Sequence, residues 1–136
     1  MHHVAMTESE FEDSVNRALD EVEKAFPGVL DNVAVICELD SHDHPGAIRL
    51  GPRGRLLGLF EGVPHTVRTW NEAYVLPDKV TLFSQTISAE AEYLGIAEDQ
   101  MIREVVWHEI GHLLGLDENR ARAVERRKRK NRPLPS

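Results

Sequence analysis

The segment VVWHEIGHLLGLD, residues 105–117, most constrains what this chain can fold into. Its apolar residues recur at the spacing of a buried helical face. The same run holds His108, Glu109 and His112, and burying such polar side chains is costly unless they are paired or bind a ligand. We therefore predict a core helix whose polar residues serve one common site.

The spacing of these polar residues predicts a metal site. Residues four apart on a helix lie one above the other, so the imidazoles of His108 and His112 can converge on one zinc ion. Glu109 lies about 100° further around the helix than His108. Its carboxylate is therefore expected beside the metal, where it can act as a general base.

A third ligand is expected because catalytic zinc usually has three protein ligands. We predict that Gly115 ends the helix and turns the chain, since glycine tolerates the left-handed conformation found there. Asp117, two residues later, could then return to the metal as the third ligand. Glu118 is the adjacent alternative.

The rest of the chain predicts a small sheet between helices. Thr7 and Glu10 fit a capping box at the start of an amphipathic helix, which Pro27 and Gly28 end. Strands are predicted at residues 33–37, 56–60 and 79–83, with helices at 87–94 and from about 97 onwards.

Composition limits the classes of function. The 136 residues are expected to form one domain, residues 1–119, followed by a basic, flexible tail, residues 120–136. Residues 118–136 carry eight of the 16 Lys and Arg and two of the 23 acidic residues, a net charge of +6, which leaves −13 on the remainder. An acidic body repels a phosphate backbone, so we do not expect a nucleic-acid partner, although the basic tail keeps that alternative open.

No apolar run is long enough to cross a membrane, and no signal-peptide pattern is visible. We therefore expect a cytoplasmic protein without a membrane partner. The single cysteine, Cys37, excludes an internal disulfide and a zinc site built from cysteines. It is expected to be buried in a strand.

Three segments together resemble the bacterial minimal-zincin family of zinc metallopeptidases. They are LLGLFEGVPHTVR, LPDKVTLF and VVWHEIGHLLGLDE, and the likeness runs from about residue 11 to residue 118. The resemblance implies an α+β class and a compact zincin-like fold, with a small mixed β-sheet packed against an N-terminal helix and a long active-site helix. It also implies His108 and His112 as zinc ligands, Glu109 as general base and Asp117 as third ligand.

The expected function is that of a zinc-dependent, metallopeptidase-like hydrolase that cleaves a peptide or small protein with a metal-activated water. Such enzymes bind an extended substrate along the edge strand before the active helix, which by position is KVTLF, residues 79–83. By chemistry alone, the candidates for oxyanion stabilisation are His65, Arg68, Tyr74 and Tyr93. The alternative is a non-catalytic, zinc-stabilised binding or regulatory module, which would need the histidines but not Glu109.

Overall fold

The computed structural model describes residues 6–40, 56–62 and 76–130, with side chains up to residue 115. Within these ranges the chain forms three helices and a three-stranded mixed sheet. In chain order they are α1 (Glu8–Ala25), β1 (Val33–Glu38), β2 (Gly58–Glu61), β3 (Asp78–Phe83), α2 (Ser84–Leu94) and α3 (Glu98–Lys130). This confirms the predicted α+β class, and α2 begins three residues earlier than predicted.

Helix α1 begins as its sequence predicts. The Glu10 N–H donates to the Thr7 hydroxyl at 3.2 Å, and the Glu10 carboxylate accepts the Thr7 N–H at 3.0 Å. The reciprocal pair satisfies donors that a helix start leaves without partners. One face of α1 is buried, with Phe11, Ser14, Val15, Ala18 and Val22.

The sheet has the strand order β1-β3-β2, with β1 parallel and β2 antiparallel to β3. The prediction that residues 79–83 form the edge strand is therefore wrong. Five of the six residues of β3 are buried, as is typical of a central strand covered on both faces. Within the described residues, β2 has a neighbour on one side only and is the edge strand that contacts α3.

The core lies between the sheet and the helices. Val80 and Leu82 of β3 project on the same side as their partners Phe60 and Gly58 of β2, because paired residues share a face. The α3 residues that enter this core are Met101, Ile102, Val105, Val106, Ile110 and Leu113.

Polar contacts also join α1 to the long helix α3. The Glu21 carboxylate accepts hydrogen bonds from Arg103 Nε at 2.7 Å and Trp107 Nε1 at 3.3 Å. These two bonds lower the pKa of Glu21. Trp107 therefore faces α1, and His108 lies about 100° further around the helix, so it does not face α1.

Two expectations about individual residues are corrected. Cys37 lies in β1 as predicted, but its side chain is exposed and not buried. The helix α3 passes through Gly115 and continues to Lys130, so the first eleven residues of the predicted tail have a helical backbone. None of the described helices combines the length and apolar character that a bilayer crossing requires.

Thr81 provides a test of the packing of β3. Its side chain is fully buried, and its hydroxyl has no hydrogen-bond partner among the described residues. We predict that Thr81→Val raises the free energy of unfolding by about 1 kcal/mol, since it replaces an unsatisfied hydroxyl with a methyl group of similar size. Urea unfolding measures the change. Thr81→Ser, which keeps the hydroxyl and loses the methyl group, should instead destabilise the protein; equal stability of the two variants would contradict the prediction.

Candidate metal centre

Helix α3 brings together the three polar residues that the sequence singled out. His108 and His112 have ring centroids 4.9 Å apart, with their ring planes perpendicular. His108, Glu109 and His112 each offer one ligand atom, and these three atoms lie within 4.8 Å of one another. One turn of helix therefore concentrates two imidazoles and a carboxylate in a small volume.

This donor set fits a zinc ion. Zinc binds imidazole nitrogen at about 2.0–2.1 Å and prefers tetrahedral geometry, so two ligand atoms of one ion lie about 3.3 Å apart. The candidate ligand atoms lie within 4.8 Å of one another, a spread of the same order as that separation. Both histidines are exposed, which leaves room for an ion and a substrate on their outer side.

Glu109 differs from the histidines because it is buried, with 6% of its surface exposed. Burial raises the pKa of its carboxyl group, while the nearby His112, His108 and Phe60 backbone N–H lower it in part. A bound metal dication would also favour the ionised form. The carboxylate therefore lies next to the two imidazoles and is largely shielded from solvent.

Gly58 allows the edge strand to approach this carboxylate closely. A Cβ atom at Gly58 would lie 3.0 Å from Glu109 Cγ, 3.0 Å from Val105 Cγ1 and 3.3 Å from the Thr81 carbonyl oxygen. Such distances are shorter than ordinary carbon contacts. A residue with a side chain at position 58 would therefore displace Glu109, Val105 or both.

The register of the sheet shows which backbone groups of β2 face outward. Phe83 N–H donates to the Leu57 carbonyl at 3.0 Å, and the two strands are antiparallel. Residues in such a pair alternate between facing the partner strand and facing away. Leu59 therefore faces β3, whereas Gly58 and Phe60 direct their N–H and C=O groups away from it.

A cavity of about 390 Å³ adjoins this edge. Apart from Gly58, it is lined by Leu56, Leu57, Met101, Glu104, Val105, His108 and Glu109. A larger cavity of about 740 Å³ lies among α1, the end of β1 and α2, and it has carboxylates but no histidine in its lining. The smaller, mostly apolar cavity is therefore the one that belongs to the candidate metal centre.

The predicted turn at Gly115 is absent. The helix α3 continues through this residue, and among the described glycines only Gly28 and Gly95 have a positive φ. Glycine permits a turn but does not impose one, and here the flanking residues keep the helical hydrogen bonds. Asp117 and Glu118 belong to the helical backbone, and their side chains lie outside the described part of the chain, so the third ligand stays a prediction.

The candidates for oxyanion stabilisation are not assembled by the described residues. His65, Arg68 and Tyr74 lie outside the described ranges. Tyr93, on α2, is 70% exposed and does not line the cavity beside Glu109. No residue is assigned to this role.

A comparison with family models matches residues 30–127 to a zincin-like metallopeptidase model. The chain belongs to this zincin-like metallopeptidase family. No curated protein matches it. The match covers the strands and the histidine helix, so the small mixed sheet and the His-Glu-His cluster are parts of a zincin-like domain.

Sequence reasoning missed one residue of this zincin-like site, Gly58, which lies against Glu109. The sequence predicted a strand at residues 56–60 without giving Gly58 a role in the site. Gly58 carried a usable signal, because a single glycine inside a strand often marks a close approach of another element.

The helical conformation of Gly115 can be tested by adding one methyl group, as Gly115→Ala does. Glycine in a helix interior costs about 0.5–1 kcal/mol relative to alanine, and nothing lies within 4 Å of a Cβ placed at Gly115. We predict that Gly115→Ala raises the free energy of unfolding of the zinc-free protein by that amount. Gly95→Ala is the control and should destabilise, because Gly95 has a φ of 68°. Destabilisation by both changes would indicate a turn at Gly115.

Zinc binding is tested by metal analysis of the purified protein. We predict about one zinc per chain, lost on His108→Ala or His112→Ala because each change removes a nitrogen ligand. Glu104→Ala, on the same helix and in the same cavity lining, should keep the metal. Asp117→Ala and Glu118→Ala, measured in parallel, identify which acid completes the site. Wild-type protein that takes up no zinc would contradict the assignment.

Proposed function

We propose that this protein is a zinc-dependent peptidase in which Glu109 acts as the general base. The observation that carries the proposal is the Glu109 carboxylate, buried beside His108 and His112 with its pKa raised by burial. A purely structural zinc site needs ligands but no additional buried acid, and an unused buried carboxylate is costly.

Each residue of the proposed zinc site would have a separate chemical role. His108 and His112 hold the metal through their imidazole nitrogens, with Asp117 or Glu118 as the proposed third ligand. When bound, zinc supplies a Lewis acid that polarises a peptide carbonyl and acidifies a water molecule. Glu109 accepts a proton from the attacking water and then donates it to the leaving amine nitrogen.

The edge strand β2 is the proposed binding surface for the peptide main chain. Outward-facing backbone groups at an open sheet edge can pair with an extended peptide, which then adds one strand to the sheet. Among the described residues, Gly58 and Phe60 carry such outward-facing groups, and Gly58 lies against Glu109. This arrangement favours a peptide or small protein as substrate.

The adjoining cavity supports a preference for an apolar substrate side chain. Leu56, Leu57, Met101 and Val105 line most of its wall, and it opens beside His108 and Glu109. A buried apolar side chain gains roughly 1.5–3 kcal/mol from such an environment. We therefore propose that an apolar residue of the substrate lies close to the cleaved bond.

The general base is tested by comparing Glu109→Ala with wild type on a peptide library. We predict that the variant keeps its zinc and fold but loses hydrolysis by about 100-fold or more, because the proton acceptor is gone. Mass spectrometry detects the cleavage products, and metal analysis and circular dichroism monitor zinc and fold.

Glu104→Ala serves as the matched control, since it removes another acid of the same helix and should leave hydrolysis largely intact. Equal cleavage by wild type and Glu109→Ala would refute the catalytic assignment. Zinc-loaded wild type that cleaves no peptide would favour the non-catalytic, zinc-stabilised module instead.

A further inference from the structure

Glu104 adds a negative charge to the mostly apolar cavity beside the candidate metal centre. Among the described residues that line this cavity, the polar side chains are those of His108, Glu109 and Glu104. The first two belong to the proposed chemistry, whereas Glu104 has no part in it. The Glu104 side chain is exposed, so it lies where the cavity opens to solvent.

The Glu104 carboxylate has no cationic partner within the described part of the chain. The Gln100 amide donates a hydrogen bond to it from Nε2 to Oε1 at 3.4 Å. The adjacent Arg103 donates instead to Glu21 of α1, at 2.7 Å. Glu104 is therefore a carboxylate at the opening of an apolar cavity whose charge is available to a cation from outside the chain.

The distance between Glu104 and the metal centre matches the length of a basic side chain. Glu104 precedes His108 by four residues, which is a rise of about 6 Å along a helix, and side chains on one helix lean towards the same end. An extended lysine side chain spans about 6 Å from Cα to Nζ. A substrate residue whose backbone lies beside His108 can therefore reach Glu104 with the charged end of a long side chain.

We propose that Glu104 is a specificity-determining residue that selects a lysine or arginine of the substrate next to the cleaved bond. The proposal rests on the proposed function and refines its apolar preference: the aliphatic stem contacts Met101 and Val105, while the charged end pairs with Glu104. Long basic side chains commonly bury their stem and keep the charged group in water. A metal dication at the histidines would repel the same group, since like charges repel, so it is directed to Glu104.

A side-chain analogue tests the recognition of the cation without any hydrolysis. The n-butylammonium ion reproduces the end of a lysine side chain, and n-butanol is its uncharged counterpart. The backbone amide chemical shifts of residues 101–109 report the binding of each compound to the full chain. We expect wild type to bind n-butylammonium about fivefold more tightly than n-butanol, as a partly exposed ion pair allows. Glu104→Gln should bring the ratio of the two affinities close to one.

Asp99→Asn is the matched control for this measurement. It removes another carboxylate of α3, one that pairs with Arg17 and does not line the cavity, and it should keep the wild-type ratio of affinities. Equal binding of the two compounds by wild type would overturn the proposal. An unchanged ratio in Glu104→Gln would also overturn it, because the cation would then be recognised elsewhere.

Paired peptides test the same preference in catalysis. The two members of a pair differ only in lysine or norleucine, placed before the cleaved bond in one pair and after it in the other, at a site found with the peptide library. Acetylated N-termini leave the side chain as the difference in charge. We expect wild type to show an about fivefold higher kcat/KM for the lysine peptide of one pair, and Glu104→Gln to bring this ratio close to one.

Reversing the charge separates recognition from a structural role. Glu104→Lys should prefer glutamate to norleucine at the same substrate position, which loss of packing at position 104 would not produce. In the peptide library, Glu104→Ala should lower the share of cuts beside lysine and arginine, whereas cuts beside apolar residues do not depend on Glu104. A lysine preference that requires a free amino terminus would overturn the assignment to a substrate side chain.

The two measurements distinguish failure of this inference from failure of the proposed function. If wild type binds zinc but cleaves no peptide, the proposed function fails, while the affinities for n-butylammonium and n-butanol still decide whether Glu104 recognises a cation. If wild type cleaves the norleucine peptides of both pairs at least as well as the lysine peptides, the proposed function stands and the specificity role of Glu104 is overturned.

Discussion

The close approach of α3 to β2 at Gly58 is the contact on which the rest of the site depends. Because position 58 has no side chain, Val105 and Glu109 lie directly against the strand backbone. This places a buried carboxylate beside β2, which is an edge strand among the described residues, and the two imidazoles next to it. Any wider separation of helix and strand would leave the three polar groups on an ordinary exposed helix face.

The rotation of α3 about its own axis matters as much as its distance from the sheet. The buried residues Val106, Ile110 and Leu113 determine which face of the helix meets the core. The exposed pairs Arg103–Glu21 and Arg17–Asp99 join α3 to α1. Individually such surface ion pairs contribute little to stability, so they refine an orientation that apolar burial already determines.

Sequence reasoning was most successful where the relevant residues are close together in the chain. The capping box at Thr7 depends on a few neighbouring positions, as does the juxtaposition of His108 and His112. The order of the strands was not predictable, because β3 pairs with two segments that are distant in sequence. Local composition does not indicate which strands pair with each other. Gly115 shows a further limit, since a glycine allows several backbone conformations and its surroundings select one.

The distance in sequence between the site residues has a further consequence for the proposed metal site. His108 and His112 are four residues apart, whereas Glu109 and Phe60 are 49 residues apart. A single turn of helix, even in a partly unfolded chain, can bring the two imidazoles to one ion, but only the complete fold holds the carboxylate at the strand. Metal that binds both folded and unfolded chains stabilises the fold less than its affinity suggests. If the protein binds zinc as proposed, chelation and the positioning of Glu109 would therefore be separable properties of this domain.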